Sequence, residues 1–388
     1  MKMLKKATFV LLIQILFVAL IVLPASAKTF VYVACAGVTE ISVMEMNLGN
    51  GDLKLIQKAK TGKTVMFLAV SPDRRFLYAS IRSVPYSVAS YSIDSNTGEL
   101  THLSTAPLPD NMAYISTDKT GRFLFSASYA GHKISVNPIG ARGFVQADPT
   151  QVMITGRNAH SILSDSSNRF VYVPNLGSDQ VLQLIFDEKT GILTPNKPGA
   201  VHTKVGAGPR HFDFSPNNRF VYLAREMDGN VSVYAVDNQT GLLTEIQSIS
   251  LVPRDVKLVP GKIGAPAGGP PKKPKAAPAE DIPRINAADI HITPDGRFLY
   301  ASERTTSTLA AFFVDSLTGK LSYINSYETE KYPRGFNIGP RGNFLIAAGM
   351  KNDQCSVHRI NRTTGELQRL KRYPLGKKPN WIEIVDFP

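Results

Sequence analysis

Five side chains that bind or move charge fall at equivalent places in a repeating sequence: His160, Arg210, Glu226, Arg304 and Arg334. Histidine and glutamate take up and release protons at a reacting centre. Arginine keeps its charge and grips carboxylate or phosphate through a planar fork. Together they make a site that takes a proton from water and stabilises an oxyanion or an anionic group. His211, Asp289 and His291 stand close by in the chain. Other chemistries lack their residues. There is no Gly-x-Ser-x-Gly elbow and no His-Glu-x-x-His pair. Gly62-Lys63-Thr64 resembles the tail of a phosphate-binding loop, but Gln57 stands where that loop needs glycine. The 7 histidines are scattered without ligand spacing and the 2 cysteines cannot build a zinc cage, so neither metal nor cofactor is expected.

The equivalence rests on a repeat. Arg75-Phe76-Leu77-Tyr78, Arg122-Phe123-Leu124-Phe125, Arg169-Phe170-Val171-Tyr172, Arg219-Phe220-Val221-Tyr222 and Arg297-Phe298-Leu299-Tyr300 are one motif. Thr29-Phe30-Val31-Tyr32 and Asn343-Phe344-Leu345-Ile346 are weaker copies. With the Phe as anchor, successive spacings are 46, 47, 47, 50, 78 and 46 residues. Such a period marks stacked supersecondary units. Each unit reads as four short strands: an apolar strand ending in a turn such as Ser71-Pro72-Asp73, the anchor strand, an alternating strand, and a fourth after a tight turn such as Gln239-Thr240-Gly241. The expected fold is all-β, a seven-bladed β-propeller of four-stranded antiparallel blades. The N-terminus starts on an anchor strand, and Asn380–Val385 reads as the strand missing before it. One blade built from both termini should therefore close the ring.

In such a blade, residues about ten before the anchor and about six after it meet on one rim of the central channel. Ten before stand Met66, Ala113, His160, Arg210, Ala288 and Arg334; six after stand Arg82, Tyr129, Leu176, Glu226, Arg304 and Met350. That is an unusual collection for the edge of a buried strand. Converging charges in a concave mouth are the default functional site. His160, Arg210, Glu226, Arg304 and Arg334 are the candidate site residues, with Arg334, His211, Arg304, Asp289 and His291 as candidate substrate contacts. Asp289 and His291 also suit a structural role, because Ile290 and Ile292 continue an apolar run around them.

The remaining features concern location and partners. Lys2, Lys5 and Lys6 precede an apolar stretch from Ala7 to Pro24 and then Ala25-Ser26-Ala27, the pattern of a secretory signal peptide over residues 1–27. The expected mature chain, 28–388, is periplasmic or secreted, or membrane-anchored if the leader stays uncleaved. Export removes three positive charges from the net +13 and makes nucleic acid an unsuitable partner. Residues 251–283 carry 8 of the 26 prolines and the run Pro270-Pro271-Lys272-Lys273-Pro274-Lys275. They are expected to form an insertion loop within the propeller, a tether or a contact for an anionic envelope surface. A monomer is expected. Export permits a disulfide between Cys35 and Cys355, though their different strand positions disfavour the geometry.

The segments Gly206-Ala207-Gly208-Pro209-Arg210-His211, Ala288-Asp289-Ile290-His291-Ile292-Thr293-Pro294-Asp295-Gly296-Arg297 and Pro333-Arg334-Gly335-Phe336-Asn337 closely resemble the seven-bladed propeller family of bacterial 6-phosphogluconolactonase. That family is related to the carboxy-muconate lactonizing enzymes. The resemblance spans roughly residues 28 to 388 apart from the proline-rich insertion, and it implies hydrolysis of a sugar lactone; because such lactones also open spontaneously, the acceleration required is modest and a site without a metal suffices. It also implies a catalytic group of one His, one Glu and two Arg, falling by motif on His160, Glu226, Arg210 and Arg284. Arg284 comes from the resemblance alone. Two departures accompany it: an apparent export signal on a relative of cytosolic sugar-phosphate enzymes, and an insertion bordering the site. A muconate-type cycloisomerase and a non-enzymatic binding platform in the cell envelope are the competing readings. The small anionic or sugar-lactone substrate is the expected partner.

Overall fold

The computed structural model describes residues 27–264 and 282–387. Residues 1–26 of the leader and the proline- and lysine-rich middle of the insertion, residues 265–281, lie outside the described residues.

Seven four-stranded antiparallel sheets form the ring, as the repeat predicts. Blade 1 begins with the inner strand Val65–Val70, blade 2 with Met112–Thr117, blade 3 with Leu163–Ser164 and blade 4 with Pro209–Phe214. Blade 5 begins with Ala287–Ile292 and blade 6 with Pro333–Ile338. The seventh blade joins the C-terminal strand Pro379–Phe387 to Lys28–Cys35, with Val31 opposite Ile384. Closure by pairing the two ends leaves no free inner edge at the seam.

The repeated motif is a latch between neighbouring blades. Phe170 of blade 3 lies under Gly241, the turn glycine of blade 4 at φ +71°, so a Cβ there would strike the ring. The Tyr172 hydroxyl donates to the Gly241 carbonyl at 2.8 Å, and Arg169 Nη2 donates to the Gln239 carbonyl of the same turn. The Arg169 guanidinium also covers its own Phe170, 4.8 Å from the ring centroid. Phe30 with Gly98, Phe220 with Gly319 and Phe298 with Gly365 repeat the contact. Each anchor thus serves the blade that follows it, and its motif persists because it locks the ring.

Inner strands carry a bulge at their mouth end, as at Pro209/Phe212 and Ala287/Ile290. A bulge breaks the alternation of side chains and re-aims them beside a site. Consecutive residues Arg210 and His211 are therefore both buried, as are Ala288 and Asp289. Below the mouth, Phe67, Tyr114, His211 and Trp381 from blades 1, 2, 4 and 7 pack ring against ring and fill the channel. Cys35 and Cys355 are free thiols buried in one apolar cluster between blades 6 and 7.

Candidate active site

One mouth of the channel opens into a cavity of about 450 Å³, within the ~300–1,000 Å³ usual for a small-molecule site. Arg82, Ala113, Tyr129, His160, Glu226, Arg304 and Arg334 line it, all from the two equivalent positions read in the repeat. Arg284, Tyr332, Lys262, Asn286 and Thr305 add to its polar wall. Five cationic side chains thus surround one carboxylate.

Glu226 follows the anchor strand of blade 4, where its N–H donates to the Gly208 carbonyl at 2.7 Å and its own carbonyl accepts from Ala287 N–H. Its Oε2 accepts from Arg210 Nε at 2.8 Å and pairs with Arg304 Nη2 at 3.0 Å. Burial would raise its carboxyl, but Arg304, Arg210 and Arg334 outweigh burial and hold it below the ordinary value. Glu226 is ionised.

Arg210 shares the mouth phase but is not a wall residue. It is wholly buried, held by Glu226 and by the Ala288 carbonyl. It acts on the cavity from behind the wall, by holding Glu226 and by its charge close to His160. Arg304 is fixed from below by the Asn286 and Ala287 carbonyls and lies 5.3 Å from the Tyr332 ring centroid. Arg334 Nε has no hydrogen-bond partner among the described residues, and its guanidinium lies 5.9 Å from the Phe67 ring. Burial and the neighbouring Arg304 and Arg82 lower Arg334 to about 10, so it stays charged at neutral pH. Among the described residues no side-chain hydrogen bond or ion pair holds it.

His160 is presented by the irregular start of blade 3, where its N–H donates to the Pro174 carbonyl at 2.9 Å. Its ring meets Tyr129 and His211 edge to face, at 5.6 and 5.0 Å between centroids. Burial, then Arg210, His211, Arg334 and Arg304, push its imidazole well below the ordinary histidine value. A neutral imidazole therefore faces a cationic wall.

His211, Asp289 and His291, read in the sequence as substrate contacts, lie beneath the cavity and do not line it. The bulge turns His211 and Asp289 into the channel, where His211 Nδ1 donates to Asp289 Oδ1 at 2.8 Å. His291 sits further along, near Asp289 and Asp213. Arg284, from the resemblance, does reach the cavity, at its exposed rim, with Nη1 donating to the Pro260 carbonyl.

The described ends of the insertion form part of the wall. Val259 N–H donates to the Pro283 carbonyl and Ile285 N–H to Val259, a short parallel bridge. Gly261 N–H donates to Met227, and Tyr129 Oη donates to the Gly264 carbonyl at 3.0 Å. These bonds bring Lys262 to the cavity. Neither Lys262 nor Tyr332 was singled out in the sequence, because neither stands at a repeat position. Tyr332, two residues before the mouth position of blade 6, was within reach of a wider window.

A seven-bladed ring with a cationic cavity at one mouth and a histidine in its wall defines the class: a β-propeller with a charged pocket at the mouth of its channel. The family described as a seven-bladed β-propeller lactonase matches residues 30–384, and the chain belongs to it. A 6-phosphogluconolactonase of Yersinia pestis is 38% identical over 358 residues, 92% of this chain and 98% of that protein. One from Serratia proteamaculans is 38% identical over 359 residues, 92% of this chain and 99% of that protein. Among solved structures, a periplasmic gluconolactonase of Pseudomonas aeruginosa superposes with TM-score 0.80 at 25% identity, covering 94% of this chain and all of that one.

Proposed function

We propose that the protein hydrolyses a sugar aldonolactone, phosphorylated or not, using its own side chains as base and charge clamp. The observation that carries this reading is the neutral His160 in a wall whose other charged groups are Arg82, Lys262, Arg284, Arg304, Arg334 and the ion-paired Glu226. His160 takes a proton from water as the water oxygen adds to the lactone carbonyl carbon. Arg334, with Arg304, stabilises the oxyanion. His160 then returns the proton to the ring oxygen as the C–O bond breaks, and the hydroxy acid formed ionises among the arginines. Glu226, held by Arg210 and Arg304, serves to space and orient those guanidiniums. The arginines that depress His160 are neutralised as the oxyanion develops, so its basicity rises as the reaction proceeds. Membership of the lactonase family and the 38% identity to 6-phosphogluconolactonases support the reaction class.

The leader pattern and the likeness to a periplasmic gluconolactonase support an exported enzyme acting in the periplasm or outside the cell. The test is acid release from gluconolactone and 6-phosphogluconolactone at constant pH, with the purified chain starting at Lys28. Opening of at least one lactone well above its spontaneous rate, unchanged by EDTA, is expected. If neither opens faster than in buffer, the proposal is wrong.

A further inference from the structure

The two most exposed large apolar side chains among the described residues are Val205, at 90%, and Val84, at 80%. Both stand at loop tips on the face that carries the cavity mouth. Val84 follows the wall residue Arg82 by two, and Val205 lies in the turn that enters blade 4. Each has an exposed cation beside it. Ser83 Oγ donates to the Lys63 carbonyl at 3.0 Å, which brings Val84 next to Lys63, and Lys204 directly precedes Val205. The described edge of the insertion repeats the pairing with Lys262 and Ile263, the latter 41% exposed. Along blades 6 and 7 the same rim carries exposed cations alone. Lys351 N–H donates to the Lys331 carbonyl, and Lys377 and Lys378 lead into the inner strand of blade 7. Asp353 Oδ1 accepts from Lys378 N–H and the Asp353 carbonyl from Leu375 N–H, which joins the two groups into one arc.

These cations do not hold the fold together. Among the described residues, no side-chain hydrogen bond or ion pair holds Lys63, Lys204, Lys331, Lys351, Lys377 or Lys378. On the opposite face the motif arginines are committed: Arg122, Arg169, Arg219 and Arg297 donate to turn carbonyls of the neighbouring blades. A soluble anionic lactone would account for uncommitted lysines around a mouth, but not for apolar tips set beside them. An anionic bilayer accounts for both, because its headgroups attract lysine and its acyl boundary takes up the apolar tips. We propose that the mouth face docks on an anionic lipid surface, with the lysines at headgroup level and Val84, Val205 and Ile263 dipping into the interface. This docking does not depend on which reaction the cavity performs.

The test is sedimentation of the full mature chain with vesicles of phosphatidylcholine, alone or with about a third phosphatidylglycerol. The protein should sediment with the anionic vesicles and not with the neutral ones, and added salt should weaken binding. Lys377→Glu combined with Lys378→Glu should weaken it about tenfold or more. Val84→Asp combined with Val205→Asp should do the same. Lys189→Glu with Lys320→Glu, at exposed turns of the opposite face, makes the same change in net charge as the first pair and should leave binding within about twofold. Failure of the wild type to bind anionic vesicles overturns the proposal. An equal loss in the two lysine pairs overturns the assignment to this face, and undiminished binding by the valine pair overturns insertion of the tips. Retention on a soluble acidic polysaccharide without vesicle binding makes the partner a glycan and overturns lipid docking.

Discussion

Arg210 Nε donates to Glu226 Oε2 at 2.8 Å, and neither the guanidinium nor its contact reaches solvent on the Arg210 side. The same oxygen takes Arg304 at 3.0 Å, so one buried arginine sets where the carboxylate, and through it a wall arginine, can stand. This relationship makes Arg210 a support of the cavity and Glu226 its hub.

Arg210→Lys keeps the charge but cannot span Glu226 and the Ala288 carbonyl together. We expect kcat to fall at least tenfold with a modest drop in melting temperature. Arg210→Ala leaves Glu226 short of a partner and opens a void, and should cost about 3–5 kcal/mol of stability. Chemical denaturation and steady-state kinetics on the two variants separate the effects.

His160 is depressed below the ordinary histidine value, so lowering the pH through 6.5 should not by itself protonate the base. The kcat/KM of the free enzyme, corrected for spontaneous opening, is expected to stay level from pH 7 to below 6. A limb centred near 6.5 would contradict the burial and the arginine field around that ring.

His291 moves the other way. Burial would lower it, but Asp289 and Asp213 prevail and raise it to about 10. A group raised in the folded state contributes stability that is complete below its unfolded value near 6.5 and is lost as pH rises towards 10. The stability difference between wild type and His291→Asn should therefore shrink across pH 6.5 to 10. Urea midpoints measured at several pH values in that window give the sign directly.

Gly241→Ala forces a Cβ onto the Phe170 ring at a residue with φ +71°. The substitution should cost about 1–3 kcal/mol through strain and overpacking. It lies far from the cavity in role, so KM should be unchanged while the thermal midpoint drops by several degrees. Calorimetry on the pair checks it.

Lys262 is exposed at the cavity and is supplied by the insertion. Removing its charge in Lys262→Ala should raise KM for an anionic lactone two- to fivefold, an effect of about 0.5–1 kcal/mol that added salt diminishes. Activity on an uncharged lactone should change less.

Much of this architecture was legible because the ring repeats. The anchor spacing located seven blades and the terminal closure, since each anchor Phe must lie beneath the next blade's turn glycine. Counting from those anchors also brought His160, Glu226, Arg304 and Arg334 to one cavity. The same count missed the bulges. Arg210 has the right phase but sinks beneath Glu226, and His211 and Asp289, one residue on, turn into the plug. Lys262 and Tyr332 arrive on an insertion and a loop, where no period applies.

The central claim is that His160 is the base of a lactone-opening site. The most direct measurement is single-turnover lactone opening at pH 7 by wild type and by His160→Ala of equal thermal stability. The account predicts wild-type opening far above the spontaneous rate and a loss of about 10²–10⁴ in the variant. Equal rates for the two proteins would contradict it.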